Sequence, residues 1–203
     1  MNSIIFDLDG TLWDPIDTVL VAWNGVLTKE LGRELAREDL EGTMGLQMDE
    51  ISRKLFPELD KNHRQRIVEL CSEAERIGLE KHGGKLYDNV ETVLEILSQK
   101  YKLCIVSNCQ EGYIEAFYKY HQLERFFLDF ENPGRTGLSK GENIKLVMER
   151  NHLSNPVYVG DTEGDLTAAR FAGIPFVYAK YGFGKASACE REIGSFEDLL
   201  KIF

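Results

Sequence analysis

Short, nearly continuous apolar runs that alternate with helical stripes are the feature that most restricts how this chain can fold. Five runs stand out, at residues 3–7, 102–107, 127–130, 157–160 and 176–179. They are rich in Ile, Val, Phe and Tyr, and several lack the apolar–polar alternation of a half-exposed strand. A strand with no polar face must be covered on both sides, as in a parallel sheet sandwiched between helices. The intervening segments supply such helices. Val90, Val93, Leu94 and Leu97 form one stripe, and Tyr113, Ile114, Phe117 and Tyr118 form a second. Ile144, Val147 and Met148 repeat the spacing before the fourth run. Strands alternating with helices predict an α/β fold with a mainly parallel sheet and right-handed crossovers.

The segment 15–82 breaks this alternation, because it contains no strand pattern. Ile16, Val19, Leu20, Trp23, Val26, Leu27 and Leu31 make a long helical stripe, and further helices are expected at 48–56 and 63–80. About 65 residues is far more than one crossover needs, so a helical insertion is expected between the first strand and the rest of the sheet. A chain of 203 residues has room for one core domain plus such an insertion.

Polar clusters follow the predicted strands. In Phe6-Asp7-Leu8-Asp9-Gly10-Thr11-Leu12, two carboxylates one residue apart project to the same side of an extended chain. Such a pair needs a cation or a proton to offset it. Gly10 permits a sharp turn, and Thr11 offers a hydroxyl. Ser107-Asn108-Cys109 follows the second run, and Gly160-Asp161-Thr162-Glu163-Gly164-Asp165 follows the fourth. Lys140 precedes the helix leading into the fourth, with Lys145 a rival in that helix. In parallel α/β sheets ligands bind beyond the carboxyl ends of the strands, so these stretches converge on one edge. Oxygen ligation by carboxylates suits Mg²⁺, and a carboxylate can also act as a nucleophile. Ser107, Lys140 and loop amides could hold a phosphoryl group.

The formal net charge of −10 argues against a nucleic-acid partner, which needs a basic face, but leaves room for a small anionic substrate. The start, Met1-Asn2-Ser3-Ile4, lacks a basic n-region, and no apolar run approaches membrane-spanning length. No signal peptide and no membrane association are therefore expected. Cys71, Cys104, Cys109 and Cys189 show no zinc-type spacing, and a reduced, cytoplasmic location is the simplest expectation.

Together these motifs resemble the haloacid dehalogenase-like (HAD) phosphohydrolase superfamily. Asp7-Leu8-Asp9-Gly10-Thr11 looks like its first motif, Ser107 its second, Lys140 its third, and Gly160-Asp161 with Asp165 its fourth. The insertion after the first motif is similar to a C1-type cap. The resemblance implies a three-layer Rossmann-like core with a parallel sheet, formed by 1–14 and 83–203, plus a small all-helical cap domain at 15–82. It implies that Asp7 attacks phosphorus and that Asp9 is the acid/base. Mg²⁺ would be held by Asp7, the Asp9 backbone carbonyl and Asp161, with Asp165 ordering metal-bound water or Lys140. Ser107, Lys140 and Asn108 would bind the substrate phosphate. The second carboxylate, Asp9, favours phosphate chemistry over dehalogenation.

Residues 160–169, Ala172-Gly173-Ile174 and Tyr181-Gly182-Phe183-Gly184 are most similar to a phosphoglycolate-phosphatase-like branch. Departures from it are Lys140-Gly141, Trp13, Pro15, Cys109 and Asn89. The expected activity is Mg²⁺-dependent hydrolysis of a small phosphorylated metabolite, phosphoglycolate-like or a sugar phosphate, through an aspartyl-phosphate. Two alternatives remain: a phosphosugar mutase of the β-phosphoglucomutase type, and a non-catalytic sensor of phosphate esters. Other polar residues have plainer expectations. Cys109 reads as packing. Trp13 either contacts substrate or seals the junction with the insertion. The four histidines lack ligand spacing, and Glu73 and Glu75 read as solvated.

Overall fold

The computed structural model describes residues 2–187, 189 and 191–203. Its first elements are β1 (Ser3–Phe6), β2 (Trp13–Asp14), α1 (Ile16–Leu31), α2 (Arg37–Glu41), α3 (Met48–Leu55), α4 (Lys61–His82) and β3 (Lys85–Leu86). There follow α5 (Val90–Ser98), β4 (Lys102–Val106), α6 (Tyr113–His121), β5 (Asp129–Glu131), α7 (Pro133–Thr136) and α8 (Lys140–Arg150). The chain ends with β6 (Val157–Gly160), α9 (Glu163–Ala172), β7 (Phe176–Ala179), β8 (Arg191–Ile193) and α10 (Leu199–Ile202).

Six strands form one parallel sheet in the order β5-β4-β1-β6-β7-β8. Both faces are buried, as the continuous apolar runs require. On β1, Ile4 and Phe6 join a core with Val93, Leu97, Ile114 and Phe117 of α5 and α6. Ile5 points the other way, to Ile144 and Val147 of α8 and Leu166 and Ala169 of α9. Helices therefore cover the sheet on both sides, giving the three-layer α/β core.

All five expected strands form in this sheet, with one shift and one added edge strand. The run 127–130 becomes Asp129–Glu131: Leu128 is 52% exposed, whereas Glu131 is buried and accepts from Arg150 Nη1 at 2.8 Å. The buried Glu131 carboxylate is satisfied there by the exposed Arg150, which lets a charged residue take the inward position. The edge strand β8 has only three residues, two of them charged and exposed, so no apolar run announced it.

The insertion is helical, as expected, and comprises α1 to α4. Ile16, Val19, Trp23 and Leu27 of α1 share one core with Ile67, Cys71 and Leu79 of α4. Helix α4 runs two residues beyond its expected span at each end, because Asp60 caps Asn62 N and His63 N at 2.9 and 3.0 Å. The short α2 has no counterpart in the sequence pattern. Nor does the antiparallel pair of β2 and β3, Trp13 opposite Leu86 and Asp14 opposite Lys85, which joins the two ends of the insertion at its base. No described helix is long and apolar enough to cross a membrane.

Candidate active site

The carboxyl ends of β1, β4 and β6 gather the expected residues at one edge of the sheet. Asp7 directly follows β1, and its backbone N–H donates to Val159 O at 2.8 Å, so the ladder holds it in place. Ser139 caps α8, which makes Lys140 the first residue of that helix rather than a residue before it. From there Lys140 Nζ donates to Asp7 Oδ1 at 2.9 Å and to Asp165 Oδ1 at 2.6 Å, and all three side chains are buried. The rival Lys145 lies elsewhere, its ammonium 4.2 Å from the centroid of the Phe171 ring.

Asp165 combines two roles. It is the third residue of α9, in a capping box with Thr162. Its Oδ2 accepts from Asp161 N at 3.1 Å, Thr162 N at 2.9 Å and Thr162 Oγ1 at 2.7 Å. One carboxylate thus shapes the turn that presents Asp161 and, through its other oxygen, anchors Lys140.

Asp161 Oδ2 accepts from Phe183 N at 2.8 Å and Gly184 N at 3.1 Å. Its Oδ1 is buried with no hydrogen-bond partner among the described residues. Asp7, Asp161 and Asp165 each bring an oxygen within 4.8 Å of the others. Three buried carboxylates against one ammonium are electrostatically unfavourable. Burial, reinforced by Asp165, pushes Asp7 up to about 7 despite Lys140. Burial, with Asp165 and Asp7, pushes Asp161 well above the carboxylate range despite the Phe183 and Gly184 amides. Burial opposes the charge on Lys140, but Asp165 and Asp7 outweigh it and hold the ammonium charged. An orphaned carboxylate oxygen in an oxygen-only cluster is a donor set that fits a hard divalent cation. Gly10 is needed beside it: its φ is +79°, and a Cβ there would come within 2.2 Å of Asp161 Oδ2.

Asp9 is set apart from this cluster. Its Oδ1 accepts from Trp13 Nε1 at 2.7 Å and Tyr113 Oη at 3.0 Å. Burial raises its pKa to about 6, even though both hydrogen bonds favour the charged form. Trp13 is fully buried, with its ring edge-on to Tyr113 and Phe117, so it both seals the base of the insertion and orients Asp9. Ser107 is buried at the end of β4, and its hydroxyl has no partner among the described residues. Asn108 does not turn its amide toward the cluster. Nδ2 donates instead to Gly45 O of the insertion at 2.9 Å, and Oδ1 is left buried and unpartnered.

The structure corrects the expectation for Glu75. It is 4% exposed, not solvated. Oε2 accepts from Trp23 Nε1 at 2.5 Å and Oε1 from Gln110 Nε2 at 3.1 Å, so it links two cap helices to the loop after β4. Burial pushes its pKa up to about 8, with Asp9 adding to the rise and the Trp23 and Gln110 bonds opposing it. A signal was available in the sequence: Ile67, Cys71, Glu75 and Leu79 recur every fourth residue, and all four are buried on one stripe of α4. Glu73, by contrast, is exposed and pairs with Arg76.

Glu75, Asp9, Tyr113, Asn108 and Gln110 line a cavity of about 50 Å³ between insertion and core. Cys109 also lines it. Burial, with Asp9 and Asp7 nearby, raises its thiol pKa well above the usual value, which keeps it protonated and suits packing rather than redox chemistry. A larger groove of about 490 Å³ lies at the opposite edge of the sheet, beside Pro156 and Pro175, and among the described residues that line it there is no Asp, Glu, His or Cys side chain.

This architecture has clear relatives. The family model for haloacid dehalogenase-like hydrolases matches residues 4–179. A phosphoglycolate phosphatase from Pseudomonas savastanoi is 28% identical over 213 aligned positions, covering 98% of this chain and 77% of that protein. A Clostridium perfringens protein provisionally named as the pyrophosphatase PpaX is 27% identical, covering 89% of this chain and 85% of its own. A haloacid dehalogenase-like family hydrolase from Streptococcus pneumoniae superposes with a TM-score of 0.86 at 22% identity, covering 100% of this chain and 98% of that one.

Proposed function

The chain belongs to the haloacid dehalogenase-like hydrolase family, and from that premise we propose that it is a Mg²⁺-dependent phosphatase acting on small phosphate esters through Asp7. The observation that carries this reading is the Lys140 ammonium bridging Asp7 and Asp165 beside the unpartnered oxygen of Asp161. Mg²⁺ fits that donor set, held by Asp7, Asp161 and the Asp9 carbonyl, and when bound it supplies the positive charge that lets an anionic nucleophile meet an anionic phosphate.

Asp7 attacks phosphorus with a carboxylate oxygen, the ester P–O bond breaks, and the phosphoryl group passes to Asp7. Asp9 gives its proton to the departing oxygen. A carboxyl that titrates at about 6 is suited to this near neutral pH. The Asp9 carboxylate then takes a proton from water as that water attacks phosphorus. Inorganic phosphate leaves and Asp7 is regenerated. Ser107 Oγ is free to donate to a phosphoryl oxygen, and Lys140 opposes the phosphoryl charge. Asp165 acts through Lys140 and the 161–162 turn, because both its oxygens already serve protein donors. Asn108 serves the closed cap, residues 15–82, which keeps bulk water from the reacting atoms.

Release of inorganic phosphate from p-nitrophenyl phosphate, with and without Mg²⁺, tests the reading. Wild type turns over only with Mg²⁺, and Asp7→Asn loses roughly 10³-fold or more. Equal turnover by wild type and Asp7→Asn removes Asp7 as nucleophile. Phosphate transfer without release points to a mutase.

A further inference from the structure

The cavity between cap and core has a lopsided chemistry. Among the described residues that line it there is no lysine, arginine or histidine, while Asp9 and Glu75 are both there. Lys140 is committed to Asp7 and Asp165. The remaining polar wall is rich in acceptors. Asn108 Oδ1 is buried and unpartnered, and its identity as oxygen follows from the Gly45 carbonyl that the other end must face. Thr43 spends its hydroxyl proton on Leu40 O at 2.7 Å, and Tyr113 spends its own on Asp9. The rest of the wall is apolar, including Leu40, Met44 and Ile51.

This cavity adjoins Asp9, the proposed proton donor to the departing oxygen, so it is where a leaving group would lie. We infer that Glu75 and the cation-free wall around it select phosphate esters whose leaving group carries hydroxyl or amino donors and no negative charge. A carboxylate or second phosphate entering here would lose its hydration with no cation to replace it. A hydroxyl or ammonium instead gives Asn108 Oδ1 the donor it lacks. The relatives' names include substrates with anionic leaving groups, so this selectivity separates the chain from them. The inference rests on the phosphatase reading above.

The experiment is kcat/KM with Mg²⁺ for a matched two-carbon series: 2-hydroxyethyl phosphate, phosphoethanolamine and phosphoglycolate, with pyrophosphate and p-nitrophenyl phosphate alongside. The expected result is at least a tenfold preference for the hydroxyl or amino ester over phosphoglycolate and pyrophosphate. Glu75→Gln, whose amide can still accept from Trp23 but cannot become an anion beside an ammonium, should narrow the preference for phosphoethanolamine severalfold. If this variant does not fold, the wild-type series decides alone. Preference for phosphoglycolate or pyrophosphate overturns the inference and leaves the phosphatase reading standing. So does a selectivity unchanged in folded Glu75→Gln. No turnover of any ester, p-nitrophenyl phosphate included, overturns both.

Discussion

Among single residues, Trp13 shows how a bulky apolar side chain can tune a neighbouring acid. Its ring packs against Phe117 at 5.0 Å between centroids, while its N–H holds Asp9 Oδ1 at 2.7 Å. Burial raises the Asp9 pKa, and the indole N–H restrains that rise by favouring the carboxylate. Trp13→Phe keeps most of the packing and removes the donor. A hydrogen bond to a charged group is worth roughly 1.5 kcal/mol, or about one pKa unit. In the proposed mechanism the loss of protonated Asp9 limits kcat/KM at high pH, so the basic limb of the kcat/KM profile should move up by about one unit. A limb that stays in place or moves down would show that Trp13 does not tune Asp9.

Among elements, the start of α9 is where local structure and site geometry share one side chain. Thr162 caps the helix and Asp165 completes the box, as many helices begin. Here the same Asp165 also holds Lys140. Losing only the cap is mild, whereas losing the charge leaves a buried ammonium short of a partner. Thr162→Ala should therefore cost about 1 kcal/mol, and Asp165→Asn about 3 kcal/mol or more. Urea unfolding of the two variants measures both, and equal costs would mean that Asp165 is only a capping residue. Helix α4 follows the same logic, its buried stripe interrupted by one carboxylate that only the opposing Trp23 and Gln110 can satisfy.

For the molecule as a whole, those contacts tie cap to core and make stability depend on pH. Glu75 has a raised pKa, from 4.5 to about 8, so between those values the folded chain keeps a proton that the unfolded chain gives up. Its contribution to stability is full below pH 4.5 and is lost as pH rises to about 8. Asp7 and Asp161 titrate in the same sense in wild type and variant alike, so comparison with Glu75→Gln isolates the Glu75 share. In metal-free buffer the Tm of wild type should fall more steeply between pH 5 and 8 than that of Glu75→Gln. Parallel curves from calorimetry would show that Glu75 titrates normally.

The sequence alone determined the layered α/β core, the helical insertion and the edge at which Asp7, Asp9, Ser107, Lys140, Asp161 and Asp165 collect. These follow from short-range rules: strand and helix periodicity, turn glycines, and the placement of ligands beyond parallel strands. Tertiary structure decided how each polar atom is used. Lys140 and Asp7 are 133 residues apart, and Asn108 and Gly45 are 63 apart. No local pattern says that Asp165 is saturated by donors while Asp161 keeps one oxygen free. Periodicity could mark Glu75 as inward, but only packing shows what it faces. The β2–β3 pair and edge strand β8 also went unannounced, because two or three residues carry no period. The physical reason is the same in each case: apolar burial is patterned along the chain, whereas hydrogen bonds and charge pairs are settled between partners that meet only when it folds.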